Sequence, residues 1–228
     1  MKFVFLKKRL VCFFVGFLVT ILVVAFLTMQ SRKVNTNSLG LSIVIDAGHG
    51  GIDGGAVGVN GTEESRINLD FAIELKNICE QAGFNVIMTR STMDGLYSPL
   101  AQNKKRSEME KREEIINNSK ANLVVSIHQN SFPLPSLCGA QVFYKNGSES
   151  GKCLAENIQN SLKKGEIQTR GSATIGDYYV LNCTDLPAVL VECGFLSNPQ
   201  EEMLLCQSEY RKKFCEQLFC GILEFYSI

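Results

Sequence analysis

The chain has 228 residues, 23 Lys plus Arg against 23 Asp plus Glu, 45% hydrophobic residues, nine cysteines and two histidines; this fits one globular domain with something added and excludes a disordered, collagen-like or polytopic membrane chain. The zero formal charge averages two unlike parts: residues 1–33 hold Lys2, Lys7, Lys8, Arg9, Arg32 and Lys33 and no acid, leaving 17 basic and 23 acidic residues, about −6, for the rest. A body that acidic repels phosphate backbones, so a nucleic-acid partner is excluded.

In chain order, the first element is a membrane segment. Leu10 to Met29 runs 20 residues without a charge, enough to cross a hydrocarbon core of about 30 Å at about 1.5 Å per residue. A buried core helix would show a polar face over that length. The run exceeds the h-region of a cleaved signal, and no A-x-A-like site follows it, which favours an uncleaved anchor over secretion after cleavage. Four basic residues precede the run and two follow it, so the positive-inside rule places the N-terminus in the cytoplasm and the remainder outside. Residues 1–38 are thus read as basic end, anchor (10–29) and linker, and residues 39–228 as one further domain.

Within that domain short apolar runs alternate with helical patterns. LSIVID (Leu41 to Asp46) reads as a buried strand stopping at a glycine-rich loop, AGHGGIDGGAVG. A helix is expected from about Thr62, where T-E-E-S resembles a cap and first turn, with Ile67, Phe71, Leu75 and Ile78 on one face and Gly83 closing it. Strands are expected at Phe84 to Thr89, Ala121 to His128, Gly139 to Tyr144, Asp177 to Leu181 and Pro187 to Cys193, with helices at Asn103 to Ser119, Glu149 to Lys164 and about Glu209 to Phe225. This order predicts an α/β fold: a mostly parallel, twisted six-stranded sheet with helices on both faces and its site at the carboxyl ends of the strands.

Cys12 lies in the membrane run. The other eight cysteines show no C-x-x-C pair or zinc-finger spacing. Several fall at apolar positions, as in IELKNIC and VLVEC, where a free Cys packs as a small hydrophobe.

Both histidines end or follow an apolar strand: His49 comes after IVIDAG and His128 ends VVSI. Scattered histidines are usually structural, but here the whole supply sits at equivalent strand ends, where α/β sheets bind ligands. Two neutral imidazoles and a carboxylate make a hydrolytic zinc site with one position open for water. The candidate carboxylates are Asp46, Asp53, Glu63, Glu64 and Glu192. Glu192 interrupts the apolar run AVLVECGF, where an ionised acid is costly unless it is catalytic or paired, for example with Arg90 or Arg112. Glu63 and Glu64 taken alone read as helix-start acids complementing the macrodipole. The glycine loop lacks the G-K-[ST] of a phosphate loop and does not open directly into a helix as a dinucleotide loop does. Its glycines instead let the backbone turn tightly around His49.

Taken together, IVIDAGHGG, E-S-R-I-N-L, VVSIHQNSF and AVLVECGFLSNPQEE resemble the zinc-dependent N-acetylmuramoyl-L-alanine amidases of the third amidase type, over about Ile43 to Tyr226. The resemblance implies that His49, Glu64 and His128 bind one Zn2+ and that Glu192 is the catalytic glutamate. Glu64 is preferred to Glu63 because the family's spacing from Glu to a core-facing Leu matches Glu64 to Leu69. GAQVFY, QNSFPLP and the N-terminal anchor look most like the germination-specific branch of spore-forming bacteria, which implies removal of peptide stems from muramic acid during spore-cortex synthesis, on the way to muramic lactam. The implied partners are peptidoglycan, the membrane through the N-terminal helix, and a protein aiding zinc retention or targeting, since only three protein ligands hold the metal. Arg90 and Arg112 resemble recurring family positions, read here as buried structural pairs. The alternatives are another zinc peptidase or deacetylase acting on the cell wall, or a non-catalytic wall-binding module.

Overall fold

The structure is a computed structural model that describes residues 40–227. The membrane run at 10–29 lies outside these residues; among those described, no helix is long and apolar enough to cross a membrane.

Six strands form one sheet in the order β2-β1-β3-β6-β4-β5. β1 (Ser42–Ala47), β2 (Asn85–Met88), β3 (Leu123–Asn130) and β6 (Ala188–Phe195) are mutually parallel. β4 (Gln141–Tyr144) runs antiparallel to β6, and the two-residue β5 (Thr174–Ile175) follows β4 in parallel. The sheet is therefore mostly parallel, as expected, but mixed: its four-strand heart is parallel and its β4–β5 edge is reversed against β6.

The parallel strands read as continuous apolar runs because both faces are covered. On one face α1 (Glu64–Gln81), α3 (Glu149–Lys164) and α6 (Ser208–Tyr226) bury Ile67, Phe71 and Leu75, Leu154 and Ile158, and Phe214, Leu218 and Ile222 against Ile43, Ile45, Val125 and Val191. On the other face Ile116 of α2 (Lys104–Asn118) and Val180 and Leu181 of α4 (Tyr179–Asn182) cover Val44, Val124 and Leu190. A short α5 (Pro199–Leu205) links β6 to α6.

One expected strand is a helix. Of residues 177–181, Tyr179 to Leu181 lie in α4, where Asn182 Nδ2 donates to Asp177 Oδ1 at 2.7 Å across the turn and Tyr178 packs edge-on against Phe143. Adjacent Val180 and Leu181 are both buried in the same cluster, which a strand's alternation forbids. The sheet edge goes instead to Thr174–Ile175, too short and exposed to leave a periodic signal. α1 begins at Glu64, with Glu63 as N-cap making no side-chain cap bond. Thr62 does not cap it, its backbone N–H donating instead to Glu202 Oε1 at 3.2 Å.

All eight described cysteines are free, and Cys79, Cys193 and Cys215 are fully buried in the main core.

Candidate metal centre and its glutamate

β1 and β3 pair in parallel through Ala47 and Ile127, so the residues that follow each emerge at the same end of the sheet. His49 leaves β1 with φ 60°, a left-handed conformation uncommon for a residue with a side chain and costing of order 1–3 kcal/mol. Two buried arginines hold it there. Arg112 donates to the carbonyls of Ala47 and His49 at 2.8 and 2.6 Å, and Arg90 to those of Ala47 and Gly48 at 2.9 Å each. Arg112 is itself paired with Asp46 and with Glu108, the latter at 2.7 Å. Asp46 also accepts from Ser126 Oγ at 2.6 Å and Thr89 Oγ1 at 2.7 Å. Its burial opposes ionisation, yet the Arg112 guanidinium and these hydroxyls keep its carboxyl below the usual range. Asp46, Arg90 and Arg112 thus form the scaffold under the loop.

Glu64, in the first turn of α1, reaches between the two imidazoles. Its Oε2 lies 3.3 Å from His49 Nε2 and its Oε1 2.9 Å from His128 Nδ1, and the rings meet edge to face with centroids 5.0 Å apart. Backbone donors fix the carboxylate: Ala56 N–H to Oε2 at 2.9 Å and Gln129 N–H to Oε1 at 3.2 Å. Asn68, one turn along α1, donates to Glu64 Oε1 and to the Gly48 carbonyl, and accepts from Gln129 Nε2. Burial alone would raise the Glu64 pKa; hydrogen bonding and attraction from His128 and His49 outweigh it and hold the group far below its ordinary value. His49 is displaced the other way, burial being outweighed by Glu64 and Asp53.

Gly48 lets His128 approach: a Cβ there would lie 2.2 Å from His128 Nε2. One donor atom each from His49, Glu64 and His128 lie within 4.8 Å of one another. Two nitrogens and one carboxylate oxygen, buried on one side and open on the other, fit a divalent ion such as zinc with a position left free. Among the described residues no other such group occurs.

Glu192 stands beside this cluster. The β3–β6 register sets it opposite His128, and the β6–β4 register sets it opposite Gln141. Among the described residues its Oε2 is buried without a hydrogen-bond partner, and neither Arg90 nor Arg112 pairs with it, because both are spent on the loop below. Desolvation pushes its pKa up to about 7 despite the pull of His128, a value suited to moving a proton near neutrality. Of the other candidate acids, Glu63 only occupies the N-cap position of α1, whereas Asp53 Oδ2 sits 3.0 Å from His49 Nδ1. Sequence reasoning assigned nothing to that contact, nor to Asn68. The only hint was an acid a few residues beyond a histidine in a glycine turn.

The last motif is scaffold. Glu201 accepts from the N–H groups of Gly139 and Phe195 at 2.8 Å each, and Glu202 accepts from Asn60 and Thr62. These acids tie α5 to β6 and to the glycine loop. A cavity of about 510 Å3, lined by Lys145, Ser148 and Leu186, lies at the opposite end of β6.

A parallel-hearted α/β sheet with a His-Glu-His cluster able to hold a metal ion and a buried glutamate at its strand ends describes a hydrolase. The chain belongs to the N-acetylmuramoyl-L-alanine amidase family, whose model matches residues 43–224, and it is such an amidase, a peptidoglycan hydrolase. It is 32% identical to the germination-specific N-acetylmuramoyl-L-alanine amidase of Bacillus subtilis (strain 168), across 97% of this chain and 96% of that one. Among solved structures it is similar to the CwlD amidase of Clostridioides difficile in complex with the GerS lipoprotein, with 38% identity and a TM-score of 0.78 over 82% of this chain and 98% of that one. The catalytic domain of CwlV, an N-acetylmuramoyl-L-alanine amidase of Bacillus (Paenibacillus) polymyxa var. colistinus, matches at 31% identity and a TM-score of 0.73 over 82% and 99%.

Proposed function

We propose that the enzyme is zinc-dependent, that His49, Glu64 and His128 hold the ion, that Glu192 is its general base and acid, and that it removes peptide stems during spore-cortex synthesis. The observation that carries the site reading is the Glu64 carboxylate held between two imidazoles, with an unpartnered buried carboxylate, Glu192, across the strand from one of them. Zinc in that cluster would supply Lewis-acid polarisation of the scissile carbonyl and a lowered pKa for the attacking water. Glu192 takes the proton from that water and returns it to the nitrogen of L-alanine as its amide bond to the muramic acid lactyl group breaks. The apolar walls of β6 keep Glu192 poised near neutrality, and the Gln129 N–H and Asn68 Nδ2 donors keep the Glu64 carboxylate fixed in place.

Similarity along nearly the full length to a germination-specific relative supports the cortex role, and a solved relative bound to a lipoprotein supports a protein partner. We place residues 1–38 as basic end, anchor and linker, with the domain from 39 onward outside the cytoplasm. In cells, the protein should then stay in the membrane fraction through a carbonate wash.

The decisive experiment pairs metal analysis with a peptidoglycan digest. Parent protein is expected to retain zinc and release stem peptides with a free L-alanine amine. His49→Ala and His128→Ala lose both metal and activity; Glu192→Ala keeps zinc and loses turnover by about 10²–10⁴-fold. Full activity in purified Glu192→Ala protein would sink the assignment. The cortex role predicts that spores lacking the enzyme have cortex without muramic lactam; normal lactam content removes it.

A further inference from the structure

We propose that Asp53 is a positioning residue for the metal ligands, one carboxylate that sets the tautomer of His49 and braces the turn against which Glu64 is held. The inference rests on the zinc reading above. A neutral imidazole carries a hydrogen on one nitrogen and a lone pair on the other, and whichever nitrogen faces a carboxylate as donor leaves the other to bind metal. Asp53 Oδ2 lies 3.0 Å from His49 Nδ1, and Glu64 Oε2 lies 3.3 Å from His49 Nε2. A proton kept on Nδ1 by Asp53 leaves the Nε2 lone pair aimed into the cluster.

The second oxygen of Asp53 acts on the other ligand. Asp53 Oδ1 accepts from Gly55 N–H at 3.1 Å, and its backbone is locked to Gly50 by a reciprocal pair at 2.8 and 3.1 Å. Gly55 has φ +69°, and a Cβ there would fall 2.5 Å from Glu64 Oε2 and 2.9 Å from His49 Cδ2. The next residue, Ala56, donates its N–H to Glu64 Oε2. One side chain therefore orients a ring by one oxygen and, by the other, the turn that grips the neighbouring carboxylate. Asp53 is 38% exposed against 5% for Glu64, so its replacement leaves the buried packing intact.

The test uses the full-length protein with ¹⁵N-labelled histidine rings; with two histidines in the chain, each ring gives a separable signal. Zinc affinity is measured by competition with a chromophoric chelator, and the His49 tautomer in metal-free protein at alkaline pH. Parent protein should show His49 protonated at Nδ1. Asp53→Ala should weaken zinc by about 10–100-fold and move the His49 proton towards Nε2, where Glu64 remains the only carboxylate. Asp53→Asn, which keeps an acceptor oxygen, should recover part of both. Parent protein that binds no zinc overturns the metal reading and this inference with it. Zinc bound by parent and Asp53→Ala alike, with the tautomer unchanged, overturns the positioning role alone.

Discussion

Glu192, the proposed proton carrier, is also a destabilising element of the fold. Burial holds its carboxyl at about 7 in the fold, above an ordinary value of 4.5, so the folded chain binds this proton more tightly than the unfolded chain does. The sign follows: its stabilising proton is fully in place below about pH 4.5 and is lost as pH rises through 7. Glu192→Gln cannot ionise, and in the metal-free protein it should gain roughly 3 kcal/mol over the parent above pH 7 and little at pH 4.5, the free energy of a pKa displacement of that size. Parallel denaturant titrations at the two pH values check this; equal midpoint differences at both count against a buried, unpaired Glu192. Sequence made this residue legible because an acid inside an apolar strand has few explanations. It left open whether an arginine answers it. That depended on Arg90 and Arg112 being committed to the carbonyls of residues 47–49, a tertiary fact.

At the scale of elements, the site depends on the β1 loop running close beneath β3. Gly48 makes this possible, since any Cβ at that position would occupy the space of the His128 ring. Gly48→Ala should leave the sheet formed yet displace His128, lowering metal affinity at least tenfold and activity with it; an unchanged metal dissociation constant in a folded variant would contradict the geometry. Elements with clean periodicity, such as β1, α1, β3 and β6, were readable because burial on one or both faces dictates every second or every third to fourth residue. Residues 177–181 were not, because the four apolar and aromatic residues after Asp177 fit a strand or one helical turn equally, and the choice was made by Phe143 and the Asp177–Asn182 bond. α5 was hidden for a related reason: seven residues hold less than two turns of pattern, and its acids serve Gly139, Phe195, Asn60 and Thr62 rather than solvent.

For the whole molecule, the three proposed ligands and Glu192 come from four elements spread over residues 49 to 192, and the unfolded chain cannot bring them together. An ion that binds the folded form alone stabilises it by mass action, about 2.7 kcal/mol at a hundredfold excess over its dissociation constant. Chelation should therefore lower the thermal midpoint as well as abolish activity, and zinc should restore both; a midpoint indifferent to chelator argues against an ion held by the native fold. The reversed edge of the sheet was beyond sequence pattern, since a buried strand's composition does not state its direction, and β4 reads the same either way.

The strand order also sets when the enzyme can become active. β3 and β4 are consecutive in the chain, yet β6 lies between them, so the sheet cannot be completed in the order of synthesis. His49, Glu64 and His128 are all made before the strand that carries Glu192, and that strand must enter between two older ones. A chain halted before Ala188 has two unjoined sheet fragments and lacks Glu192, the proposed proton carrier, so it should be inert. Chains ending at residue 187 should be cleaved rapidly by protease and show no hydrolysis, while chains carried through α6 resist; protease resistance in the shorter chain would place completion of the fold earlier than β6.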